Sequence, residues 1–222
     1  MEIYPRDTKM NNRIKIIGIA MAAGIGFSTQ AVASNFSYTY LEISANASIF
    51  KDEIRLPTNF GYEAYDGISG ASLAGSYQFT DVLYVLLSSS YLENSGDSTE
   101  LNAAQSLIGL GSAFAVGSDT DINVGIGAAS VDAKVCYSRF CINEDDTGLG
   151  LRAGIRHKVN DAFEISSVIG HDRFSDFGEI TSISASASWW FNDSSSLSFG
   201  LGMDDDSDKS ISLGYRYTFA GR

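Results

Sequence analysis

The residues able to do chemistry in this chain are few, and most are carboxylates and arginines rather than nucleophiles. His171-Asp172 is an adjacent acid–base candidate, and Asp204-Asp205 is a second acidic group further along. A histidine and a carboxylate within hydrogen-bond reach could activate water. Neighbouring side chains of a strand face opposite ways, however, so His171 and Asp172 are poorly placed to serve one another. No Gly-x-Ser-x-Gly elbow, phosphate loop or metal-ligand cluster is present, so no catalytic, cofactor-binding or metal residues are expected. The two cysteines, Cys136 and Cys141, share one polar segment with no histidine nearby. That spacing predicts a small disulfide loop in an oxidising compartment rather than a metal site. The runs Asn143-Glu144-Asp145-Asp146 and Asp204-Asp205-Asp206-Ser207-Asp208, as anionic external loops, could attract divalent cations; the reading adopted is that they are solvated charge runs.

The elements that position these residues show a period of two. Ser210 to Phe219 puts Ile211, Leu213, Tyr215, Tyr217 and Phe219 on one face, with Ser212, Gly214, Arg216 and Thr218 on the other. Leu197, Phe199, Leu201 and Met203 alternate with Ser198, Gly200 and Gly202, and Ile183 to Phe191 alternates with Ser182 to Ser188. An apolar exterior around an interior of Ser, Gly and a few charges is a soluble domain turned inside out. No apolar run after the N-terminus approaches the ~18 residues of a spanning helix, whereas membrane strands need only about 9–11. The fold class expected is all-β: a closed antiparallel up-and-down transmembrane β-barrel of ten strands, with eight as the alternative. Short Asp/Asn/Ser/Thr-rich turns follow strands two, four, six and eight, with longer connections between, including Asn46 to about Asp66 and the cysteine segment. Strands three and five are ambiguous, because Leu83, Tyr84, Val85, Leu86 and Leu87 are apolar on both faces; a bulge or a plugged interior would account for that.

The N-terminus reads as an export signal. Arg13 and Lys15 precede the apolar stretch Ile16 to Phe27, and Ala31-Val32-Ala33 supplies the small-residue cleavage pattern. The division expected is residues 1–33 as extension and signal, with either Met1 or Met10 as start, and 34–222 as the barrel. Cleavage after Ala33 takes four of 15 basic and two of 27 acidic residues, leaving 11 and 25, a formal charge of −14. A polyanion such as nucleic acid is therefore excluded as the main partner.

Parity places Glu42, Glu164, Arg152, Arg156 and Arg216 inward. Closure makes the first and last strands neighbours, bringing Glu42 to Arg216, and sets Arg152 or Arg156 near Glu164. The expectation is a charge network closing the lumen near mid-height; separate hydrated side chains lining a channel are the competing arrangement. Trp189, Phe191, Tyr217 and Phe219 gather at the turn end as an interfacial aromatic girdle.

Tyr38-Thr39-Tyr40-Leu41-Glu42, Leu73 to Phe79, Gly148 to His157, Gly170-His171-Asp172 and Tyr215-x-Tyr217-x-Phe219 resemble the diffusible-signal-factor-regulated family of small exported barrels. They are similar more broadly to the OmpA-type and small-porin superfamily. Those barrels end on an aromatic residue, whereas Ala220-Gly221-Arg222 follow Phe219 here. The resemblance implies the bacterial outer membrane as location, with its lipids, periplasmic chaperones and insertion machinery as partners. It implies a monomer without cofactor, acting in surface binding of an unnamed ligand or in envelope integrity. A small passive pore is the alternative, and a barrel-mouth hydrolase, whose His/Asp groups would resemble those of omptin-like proteases, a second one.

Overall fold

The computed structural model describes residues 37–58, 61–137 and 140–219. The signal stretch 1–33, its cleavage point, Phe36 and Ala220-Gly221-Arg222 lie outside the described residues. Ten strands follow in chain order: β1 Tyr40–Thr58, β2 Gly61–Gln78, β3 Leu83–Ser95, β4 Thr99–Ala115, β5 Thr120–Tyr137, β6 Phe140–Lys158, β7 Phe163–Phe174, β8 Glu179–Asn192, β9 Ser195–Asp204 and β10 Lys209–Thr218. Each pairs antiparallel with its sequence neighbours, and β1 pairs with β10, closing the barrel. Closure leaves no unpaired edge within the wall, the condition for crossing hydrocarbon with strands.

The wall obeys the period of two. Leu41, Ile43, Leu110, Ile126, Leu151, Ile169, Ile183, Phe199 and Leu213 are all exposed on the outside. Each would forgo roughly 1.5–3 kcal/mol of burial if it faced water, so the band is at home only in lipid. Across the wall Glu42, Ser72, Ser88, Asn123, Arg156, Ser198 and Arg216 are buried inside.

Above one end of this band the polarity reverses. Without changing face, β1 continues inward with Phe50, Ile54 and Leu56, while Lys51, Glu53 and Arg55 are exposed. Strand β4 buries Leu101, Ala103 and Leu107, and β5 buries Val131 and Ala133, all facing inward. Together with Leu92, Phe174, Phe177 and Ile180 they form an apolar core inside the upper barrel. The segments expected as loops, Asn46 to Asp66 and 133 to 147, are therefore largely strand. Pairs Ile54↔Tyr65 to Thr58↔Gly61 extend the β1–β2 hairpin, past a register shift between Ile49 and Ile54. Pairs up to Tyr137↔Phe140 extend β5–β6 without any shift. The two ends differ in strand extension more than in loop length.

Candidate functional site

Toward the turn end the lumen is filled by paired charges and rings. Closure puts Glu42 opposite Arg216 on neighbouring strands. The Arg216 Nε and Nη2 donate to Glu42 Oε2 at 2.8 and 2.5 Å, and the Ser198 hydroxyl donates to Oε1 at 3.3 Å. The Arg216 guanidinium also lies 4.6 Å from the Tyr40 ring centroid, a cation–π distance. Arg156 donates through Nε and Nη2 to the two oxygens of Glu164, and the Trp190 indole N–H donates to Glu164 Oε2 at 3.2 Å. Beside this cluster Tyr38, ahead of β1, stacks on Tyr84 with centroids 4.6 Å apart and planes at 6°. Gly111 makes that stack possible: it sits opposite Tyr84, and a Cβ there would fall 2.0 Å from Tyr84 Cζ. Tyr38, Tyr84, Asp121, Arg156 and Glu164 are at most 1% exposed.

Of the two partners expected for Glu164, the structure selects Arg156. Arg152 goes elsewhere: its Nη1 and Nη2 donate to Asp172 Oδ1 and Oδ2 at 2.7 and 2.9 Å, and the Gln105 amide donates to Oδ2 at 3.3 Å. The pairs form two tiers, Arg156–Glu164 next to the β6–β7 turn and Arg152–Asp172 nearer the opposite end of the same strands. Asp172 faces inward while His171 faces outward, where its Nδ1 lies 3.1 Å from the Thr181 hydroxyl. They do not meet, as the strand period requires. Asp172 carries the same parity as Glu164, which is the signal that would have nominated it. Tyr38 and Gln105 also carry the inward parity, of β1 and β4 respectively, but nothing in their types marks them as closures.

On the outer surface Trp189, Phe191, Tyr217 and Phe219 are exposed. Trp189 packs edge-on to Phe191 at 6.2 Å and Tyr217 to Phe219 at 5.2 Å, while Phe191 reaches Tyr215 at 6.3 Å. A depression of about 500 Å³ between Ile165, Ala187 and Phe199 lies in the same lipid-facing wall.

At the hairpin end three carboxylates clasp neighbouring loops through backbone N–H groups. Asp146 Oδ2 accepts from Asp176 and Phe177 at 2.5 and 3.0 Å, Glu63 Oε1 from Ser98 at 2.8 Å, and Asp208 Oδ1 from Lys51 at 2.7 Å. Burial pushes Asp146 up, yet the N–H groups of Asp176, Phe177 and Thr147 outweigh it and hold the carboxyl below its usual range. At the foot of the β9–β10 turn Asp204 behaves oppositely. Burial pushes it up to about 7; the Asp208 N–H, bonded to Oδ1 at 2.9 Å, opposes this, and the charges of Asp208, Asp206 and Asp205 add to it. Cys136 and Cys141 form a disulfide across a directly opposed pair near the β5–β6 tip, with Cα atoms 4.0 Å apart. Among the described residues no cluster of three or more His, Cys, Asp or Glu could hold a metal ion.

A family model described as "Outer membrane protein beta-barrel domain" matches residues 18–219. No curated protein matches the sequence. Among solved structures, Ail, the attachment invasion locus protein of Yersinia pestis, aligns with 82% of this chain and 100% of its own, at 15% identity and TM-score 0.43. The NanC porin aligns with 81% and 100%, at 8% identity and TM-score 0.46. OprG of Pseudomonas aeruginosa aligns with 86% and 100%, at 12% identity and TM-score 0.42. Likeness this distant says nothing of activity. The family match spans nearly the whole closed wall, lipid-facing band and filled lumen included, and on it the chain belongs to the outer-membrane protein β-barrel domain family.

Proposed function

We propose that this barrel works at the outer-membrane surface, in surface binding or envelope integrity, and neither conducts solutes nor catalyses a reaction. The observation that carries this reading is the doubly filled lumen. Tyr38, Tyr84 and the Arg156–Glu164 pair occupy the turn end, and Leu92, Leu101, Val131 and Ile180 occupy the other, all of them at most 2% exposed. A narrow barrel filled by side chains leaves no continuous aqueous path. In this family short turns face the periplasm, so the projecting hairpins and their clasped loops are the external surface. The chain is read as a monomer, exported with its leader removed after Ala33 and delivered by periplasmic chaperones to the insertion machinery.

One observation favours the small pore instead. Ser184, Ser186 and Ser212 face inward yet are only half-buried, so part of the lumen along β8 and β10 is open to water. Planar-bilayer recording of the refolded protein decides between the two. Silence is expected across the voltage range; steady unitary conductance above the lipid background would overturn the closed reading.

A further inference from the structure

We propose that the outer edge of β6, residues 140–145, docks an extended peptide segment carrying basic residues, which joins the sheet as an added strand. This names a partner class for the surface-binding reading and rests on it.

Pairing of β6 with β5 runs to Tyr137↔Phe140, but pairing with β7 begins only at Gly148↔Phe174. Among the described residues, Phe140 to Thr147 therefore has a strand on one side alone. Which backbone groups face the open side follows from the ladder. The Lys158 N–H donates to the Asp119 carbonyl at 2.8 Å, so even-numbered β6 residues bond to β5; the Val159 N–H donates to the Phe163 carbonyl at 2.9 Å, so odd-numbered ones turn toward β7. The register is unbroken to the tip, which leaves Cys141, Asn143 and Asp145 each offering a donor and an acceptor outward. The Thr147 N–H is already taken by Asp146 Oδ1 at 2.7 Å.

Exposed edges are ordinarily guarded by charged side chains, lysine above all, by proline or by a bulge. The projecting edge of β1 has all three, in Pro57, in Lys51 and Arg55, and in the shift between Ile49 and Ile54; Asp208 caps its Lys51 N–H as well. The β6 edge, Phe-Cys-Ile-Asn-Glu-Asp-Asp-Thr, has neither proline nor bulge, and its only guards are acidic, so it repels an acidic strand and invites a basic one. Its charge shows what would fit. Asp145 stands directly opposite Asp132, a like-charge pair on one face of the sheet. Lys134 on the next rung, opposite Asn143, and the Asn143 amide, 3.2 Å from Asp132, answer it only in part. A Lys or Arg on an added strand beside Asp145 would complete the neutralisation. On the other face Ile142 and the 79% exposed Phe140 offer apolar contacts. The fitting segment alternates basic and apolar residues over about six positions and pairs by main-chain hydrogen bonds.

The test uses the whole barrel in lipid nanodiscs and a labelled hexapeptide of alternating Lys and Val. A second hexapeptide is N-methylated at alternate residues, keeping the charge but unable to pair. Asn143→Pro deletes an outward N–H without touching the β5 ladder, and unchanged heat-modifiable gel mobility verifies its fold. Binding of the first peptide is expected, weakened at least tenfold by Asn143→Pro and by N-methylation, and weakened also by Asp145→Lys. Equal binding of the methylated peptide would reduce the edge to a diffuse acidic surface. Edge-to-edge pairing of two barrels in sedimentation, blocking the peptide, would make a second copy the occupant and overturn the proposal, as would no peptide binding. None of these outcomes bears on conductance, so the closed-lumen reading stands or falls separately.

Discussion

Arg216 shows how unequal two ion pairs of the same chemistry are. Its partner Glu42 is buried with it, whereas Arg55 and Glu53 meet at 3.0 Å with side chains 64% and 52% exposed. The exposed pair contributes about 0–1 kcal/mol. Breaking the buried pair strands a charge in the lumen and typically costs about 3–5 kcal/mol. Arg216→Ala should therefore lower the thermal unfolding midpoint clearly, and adding Glu42→Ala should cost less than its single effect. Residues in contact show coupling of about 0.5–3 kcal/mol in such cycles, and strictly additive losses would refute a closure built on this pair. Glu42, Arg216, Arg156 and Glu164 were legible in the sequence because each sits on the small-residue parity of its strand. The true partner of Arg152 was not, because Asp172 draws attention to the histidine beside it rather than to the arginine across the ladder.

The strands of the wall could be read to within a few residues, and the projecting hairpins could not, for one physical reason. Apolar side chains face outward only where lipid surrounds the wall, and above the lipid that pattern no longer applies. Phe50, Ile54 and Leu56 keep the inward parity of Glu42 and Asn46 on either side of the register shift at 49–54, so β1 carries one parity whose meaning changes midway. Tyr84 and Leu86 made β3 ambiguous for the related reason that they fill the lumen; no register shift interrupts β3. The β9–β10 turn carries its own prediction. Asp204 is raised from an unfolded value of about 3.9 to about 7 and Asp208 is raised too, chiefly by burial. Their neutral forms are favoured in the fold, so the stability they add is full below pH about 4 and is lost as pH climbs through about 7. Amide exchange across residues 204–208, corrected for intrinsic rate, should be faster at pH 8 than at pH 5, and Asp204→Asn should flatten the difference. Protection that rises with pH would contradict the burial argument.

At the scale of the molecule the proposed closure predicts that the two fillings act in series, so that removing one alone opens no path. Tyr38→Ala unstacks Tyr84 at the turn end but leaves Leu101, Val131 and Ile180 in place above. That variant should remain silent in planar bilayers while losing thermal stability. Conductance from it alone would mean the upper core is not tight. The cysteine pair has a bearing on how such a molecule is made. Cys136 and Cys141 are five residues apart, so they find each other in the unfolded chain at small entropic cost, long before the first strand meets the last across the span from Tyr40 to Thr218. A slip of one residue in β5 against β6 would turn every side chain of one strand through the wall. A covalent link made early at Cys136↔Cys141 fixes that register before any lipid is present to select it. In this sense the disulfide is a written instruction to the unassembled chain, and the oxidising compartment it crosses is where the instruction is entered.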